Sequence, residues 1–142
     1  MTTSPLTSTV NTYKALAHPA RVRILAMLQG GELCVCQLIA VIRSAPSTIS
    51  AHLVELKRAG LVEDRKEGKW VHVCLADGTE AREVLTSLFA TLADDPQVRA
   101  DQAVLERLRR VELAVLTRAG HSLERVGITD CCSPAPARRA RG

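Results

Sequence analysis

A chain of 142 residues suits one domain with a single core, which a second copy of the chain could help complete. Its net charge of +4 and pI of about 9.0 are compatible with a nucleic-acid partner. Only 2% of its residues are aromatic, too few to stack unpaired bases, so single-stranded DNA and RNA are disfavoured and duplex DNA is favoured.

Ser4-Pro5 reads as the cap of a first helix, in which Leu6, Val10, Tyr13 and Leu16 recur at helical spacing. That stripe suits a partner subunit as well as the chain's own core. His18-Pro19 restarts the chain, with His18 a cap rather than a ligand and Pro19 in a first helical turn. Val22, Leu25, Met27 and Leu28 make a broad apolar surface before Gly30-Gly31 interrupt it. Val35, Leu38, Ile39 and Ile42 then fall at i, i+3, i+4 and i+7 of a third helix. Pro46 fits the first turn of a fourth, with Ile49, Leu53 and Leu56 as its buried stripe and Gly60 as its stop. Two short helices joined by a tight turn are a helix-turn-helix candidate.

Opposite the buried stripe of the fourth helix stand Ser47, Thr48, Ala51 and Arg58. Small hydroxyl side chains early on a helix let its backbone approach a groove floor and bond to base edges. Lys57 and Arg58, at the far end, are within reach of phosphates. Val62 to Lys66, a turn at Glu67-Gly68 and Lys69 to Leu75 read as two strands of a hairpin. Its tip carries Arg65, Lys66 and Lys69, placed to meet a phosphate backbone. Helix, turn, helix and basic hairpin in that order predict a winged helix-turn-helix, mostly α with a small β-hairpin wing.

Beyond the wing, Asp77-Gly78-Thr79-Glu80 resembles a capping arrangement for a helix built on Val84, Leu85, Leu88, Phe89 and Leu92. Asp95-Pro96 starts another, with Val104, Leu105, Leu108, Val111 and Val115 on one side and an end at Gly120. These helices read as the platform of a homodimer, since a winged helix needs two copies to span two half-sites. Residues 1–120 are therefore expected to form the DNA-binding and dimerisation domain. Residues 121–142, with Cys131, Cys132 and a Pro- and Arg-rich end, are expected to be a flexible tail.

No apolar run approaches the roughly 20 residues that cross a bilayer. The N-terminus has neither the basic start nor the apolar core of a secretory signal, so a cytoplasmic protein is expected. Five cysteines in that compartment point to metal binding or redox sensing rather than a disulfide framework.

Several of these residues resemble one family. Ala17-His18-Pro19-Ala20-Arg21-Val22-Arg23-Ile24-Leu25 looks like the opening of the metal-responsive ArsR/SmtB repressors. Glu32-Leu33-Cys34-Val35-Cys36 with Leu38 is similar to the thiol motif of their arsenic-sensing type. Ser47-Thr48-Ile49-Ser50, His52-Leu53 and Ala59-Gly60-Leu61-Val62 resemble their DNA-reading helix and its exit. The resemblance spans roughly Val10 to Leu75. It implies a homodimeric repressor, not an enzyme, that leaves its operator when a ligand binds, with Ser50 and His52 joining the DNA-facing set. The chain departs from the pattern at Gln37, where Asp is usual, and at Ile39, where a third cysteine often stands. Pro46 and Ala51 replace a frequent Gln and His.

Cys34 and Cys36 carry the chemistry. On an ideal helix side chains two residues apart diverge by about 200°, so joint ligation predicts that the start of the third helix unwinds. Soft thiolates select soft ions over magnesium, calcium or manganese. Trivalent arsenic and antimony take three sulfurs, so Cys34 and Cys36 need a third from Cys131, Cys132 or a small external thiol. Methylarsenite, with one valence filled, needs only two. Cadmium or lead on four cysteines, and a metal-free thiol redox switch, are the alternative readings. An arsenate-reducing or phosphatase-like enzyme lacks its anion loop, because Cys36 to Arg43 spans an apolar helix. Cys74, on the wing, reads as structural.

Overall fold

In a computed structural model describing residues 4–129, the local signals act where they stand. Ser4 accepts the Thr7 N–H and starts α1 (Pro5–Leu16). His18 is extended, and its Nδ1 accepts the Ala20 N–H at 3.1 Å to start α2 (Pro19–Met27). A 3₁₀ turn (Leu28–Gly30) and Gly31, at φ 119°, a value side chains disfavour, lead into a two-residue strand β1 (Leu33–Cys34). Two helices follow, α3 (Val35–Ile42) and α4 (Pro46–Arg58), and then the wing strands β2 (Val62–Glu67) and β3 (Trp70–Leu75). The sheet order is β1-β3-β2, antiparallel throughout, with Leu33 opposite Val73 and Cys34 opposite His72. Three more helices complete the fold: α5 (Thr79–Leu92), α6 (Pro96–Leu108) and α7 (Leu113–Arg118).

α2 is the element against which α1, α4, α5 and α6 pack. Ile24, Leu25 and Met27 on it are fully buried with Leu38, Ile49, Leu56, Leu105 and Leu116. One polar clamp enters this core. Arg23 donates two hydrogen bonds of 2.9 Å to Asp101 on α6, Gln97 donates to the same carboxylate, and Gln102 donates to the Ala26 carbonyl.

Three expectations are corrected. The helix from Pro96 does not run on to Gly120; it stops at Leu108, and α7 restarts after Glu112. A straight helix of that length would reach about 37 Å. The break instead brings Leu116 back onto α3. The chain also stays in the core beyond Gly120, where Leu123 and Ile128 are buried around a 3₁₀ turn (Glu124–Val126). Finally, α5 is capped by the Gly78 backbone without a side-chain bond, and Asp77 pairs with Arg82 instead. On α1, Leu6, Val10 and Tyr13 are exposed in the single chain.

Candidate DNA-reading surface and thiol site

Cys34 ends β1 and is at the same time the N-cap of α3, with extended backbone at φ −73° and ψ 146°. Cys36 therefore lies in the first helical turn while Cys34 lies outside the helix. Their sulfurs converge: Cys36 S–H donates to Cys34 Sγ at 2.8 Å. The expectation that α3 must unwind to bring the thiols together is thus corrected. The 200° rule applies inside a helix, and this helix begins one residue too late for it. Two sulfurs about 2.3 Å from one ion sit roughly 3.3–3.8 Å apart, so ligation asks only for a small opening of the pair.

Gln37 completes the arrangement as a capping box. Its Oε1 accepts the Cys34 N–H at 2.9 Å, while Cys34 Sγ accepts the Gln37 N–H. The Cys36 S–H, helped by the backbone N–H groups of Cys36 and Gln37, holds the Cys34 thiol well below the usual range against the desolvation of its buried position. The same hydrogen bond, with burial, pushes Cys36 up. The first proton is thus lost from Cys34, with the proton-bearing Cys36 in contact. Cys74 is partly buried, and desolvation raises its thiol.

Cys34 and Cys36 open into a cavity of about 460 Å³. Its walls come from several elements: Ile39 of α3; Ser50, Leu53, Val54 and Lys57 of α4; Asp64, Lys69, Trp70 and Val71 of the wing; and Thr117 and His121. The thiols, α4 and the wing thus share one space. Nothing in the sequence order announces this, although Leu53 was legible as a position of the buried stripe of α4. Among the described residues no group of three or more His, Cys, Asp or Glu is arranged to hold a metal ion, so these residues offer two sulfurs. Cys131 and Cys132 lie outside the described residues.

Of the DNA-facing candidates, Ser47, Thr48, Ser50, Lys57 and Arg58 are exposed on α4, and Arg65, Lys66 and Lys69 on the hairpin. Several basic groups already hold carboxylates. Lys57 meets Asp64 at 2.9 Å, Arg58 meets Glu55 at 3.3 Å, and Arg65 meets Glu32 at 2.6 Å and Glu67 at 2.8 Å. Exposed pairs of this kind are weak and screened by solvent, so a phosphate can take the place of the acid. Lys69 lies 4.9 Å from the Trp70 ring centre. Changing Lys66 and Lys69 together to Ala should lower the slope of log affinity against log salt by about 1 for each phosphate the two lysines neutralise. Titrations on one operator at several salt concentrations read this directly, and an unchanged slope would remove both from the interface.

His52 is a correction. It is buried, its Nδ1 accepts from Arg21 Nε at 3.2 Å, and its ring lies 4.4 Å from that of His18. It joins α4 to α2 rather than to DNA. Desolvation, with His18 and Arg21 nearby, lowers its pKa. A histidine depressed in the folded state stabilises the fold fully above its unfolded value of about 6.5, and that contribution fades as pH falls below it. The melting temperature should therefore drop between pH 7 and pH 5, with a smaller drop in His52→Gln; equal drops in both proteins would exclude His52 as the cause.

An exposed hydroxyl-bearing helix, a basic hairpin and a helix-turn-helix built on one core define a winged-helix DNA-binding regulator. A profile described as "Bacterial regulatory protein, arsR family" matches residues 18–64. The chain is 33% identical to the arsenic resistance transcriptional regulator ArsR2 of Pseudomonas putida over 70% of its own length and 85% of that protein's. It is 43% identical to the arsenical resistance operon repressor of Escherichia coli over 47% of its length, and 46% identical to a cadmium resistance regulatory protein CadC homolog of Staphylococcus aureus over 46%. The matches span only 58% and 54% of those two relatives. Among solved structures, the homodimeric winged helix-turn-helix domain Mb0332 of Mycobacterium bovis superposes with a TM-score of 0.55 at 33% identity, covering 63% of this chain and 82% of that one. This protein belongs to the ArsR family of transcriptional regulators. Its relatives and its fold are those of DNA-binding regulators, not enzymes.

Proposed function

We propose that the chain is a homodimeric repressor that holds operator DNA and releases it when trivalent arsenic or antimony binds Cys34 and Cys36. The observation that carries this reading is the 2.8 Å thiol pair at the base of a cavity walled by the reading helix and the wing. A soft, thiophilic ion placed there parts the sulfurs and presses on both DNA-contacting elements at once. Inorganic arsenic takes its third sulfur from Cys131, Cys132 or an external thiol. Leu6, Val10 and Tyr13 supply the apolar contact to the second subunit, which places two reading helices on two half-sites. The compartment that keeps such thiols reduced is the cytoplasm.

The cadmium resistance relative favours a second reading, in which cadmium or lead occupies the cysteines of the same fold. Contact between the two thiols also suits a metal-free redox switch. Titrating arsenite, antimonite, cadmium and peroxide against the purified protein on a labelled operator separates the three. The arsenic reading expects arsenite to weaken operator binding by roughly 10- to 100-fold, the usual range of such coupling, at concentrations below those at which cadmium acts. Release by cadmium first would install the second reading. Release by peroxide alone would install the switch, and release by none would end the thiol proposal.

A further inference from the structure

We infer that the cavity beside the thiols is a seat for the organic group of a trivalent aryl arsenical, so that this chain answers arylarsenicals more sensitively than methylarsenite. The inference rests on the thiol reading above and names its ligand class. Two features of the site point the same way. The first is valence. In the condensation R–As(OH)₂ + Cys34–SH + Cys36–SH → R–As(S-Cys34)(S-Cys36) + 2 H₂O, two As–S bonds form and two As–O bonds break. The hydroxyls leave as water with the thiol protons, and nothing is oxidised or reduced. The two sulfurs in contact and one carbon complete the arsenic, so no third thiol is required.

The second feature is space. About 460 Å³ opens directly from the two sulfurs. A dry cavity of roughly 150 Å³ suffices for benzene, whereas a hydroxyl or methyl group would leave most of this volume to water. Ile39, Leu53, Val54 and Trp70 give the wall its apolar character, and the indole offers an aryl ring an offset or edge-on partner. The seat also lies where it can act. Leu53 and Val54 belong to α4 and Trp70 to the wing, so a ring held between them is a wedge between the two elements that meet DNA.

The test is operator release from the purified full-length protein by phenylarsine oxide, methylarsenite and arsenite. Each response is normalised to that arsenical's affinity for dithiothreitol, so that intrinsic thiol chemistry cancels. The expected result is half-release by the phenyl compound at a concentration roughly tenfold or more below that of the methyl compound. Thr117→Trp, which fills the cavity from α7, should bring the two to within about twofold; Val54→Trp, filling it from α4, repeats the test. Equal phenyl and methyl responses in the unaltered protein would overturn the seat while leaving the thiol reading in place. If such equality gave way to phenyl preference once the chain was cut after Thr129, the cavity would belong to the chain's own C-terminal residues, and the inference would fail. A phenyl preference that persists in both tryptophan variants would place the ring elsewhere. Release by none of the three compounds would remove the thiol reading and the seat together.

Discussion

With Cys34 and Cys36 both changed to Ser, the protein is expected to bind its operator within about threefold of the unaltered chain yet to need at least about 100-fold more arsenite for release. The reason lies in where the two residues stand. Cys34 is an N-cap, and Ser is among the best N-cap residues, its oxygen accepting from the first-turn N–H groups that now meet sulfur. Cys36 is buried, but a Ser there can donate to the neighbouring hydroxyl as the thiol now donates to the neighbouring sulfur. The fold is thus kept, while soft sulfur ligands are replaced by hard hydroxyls that do not hold arsenic. Fluorescence anisotropy on a labelled operator, with and without arsenite, measures both quantities. Loss of operator binding in the absence of arsenite would make the pair a structural element and take the sensing role from it.

The second large effect concerns the clamp between α2 and α6. Asp101→Ala removes both hydrogen bonds from Arg23 and the one from Gln97, leaving a half-buried guanidinium facing an apolar gap. Breaking a fully buried pair by removing one partner costs about 3–5 kcal/mol. Arg23 keeps a quarter of its side chain in water, so a loss of about 2–4 kcal/mol is expected here. For a domain of this size that lowers the melting temperature by roughly 6–15 °C. Urea unfolding should show the midpoint falling with little change in slope. Replacing Arg23 and Asp101 together by apolar residues of similar volume should recover most of the loss, because no charge is then stranded. A loss under about 1 kcal/mol for Asp101→Ala alone would show that water reaches the guanidinium and that packing alone holds α6.

The two predictions differ in how far they could have been seen in the amino-acid order. Cys34 and Cys36 stand out in a string of letters; Arg23 and Asp101 do not, since 78 positions separate them and nothing local marks them as partners. His52 shows the reverse fault. Ile49, His52, Leu53 and Leu56 fall at i, i+3, i+4 and i+7, the spacing of a buried stripe, and that periodicity was the better guide to a side chain which the family likeness had turned toward DNA. The acids paired with Lys57, Arg58 and Arg65 were equally visible as residues and equally silent as partners.

Many interactions within one turn of chain were settled by the amino-acid order alone, although the cap expected at Asp77 was not among them. The caps at Ser4, His18 and Asp95, the prolines that open α2, α4 and α6, the apolar stripes and the glycine turn of the wing all rest on neighbours a few residues apart. Together they specify the helix-turn-helix and wing, and hence a DNA-binding regulator. Only the tertiary structure decided that the thiols meet. Cys34 leaves the helix because Leu33 and Cys34 pair with Val73 and His72 of a strand that folds back from far along the chain. The same folding back sets α4, the wing and the stretch from Thr117 to His121 around one cavity. Strand pairing and cavity walls join residues distant in sequence, and their energy is gained only once the whole core has closed, so no local window of residues contains it.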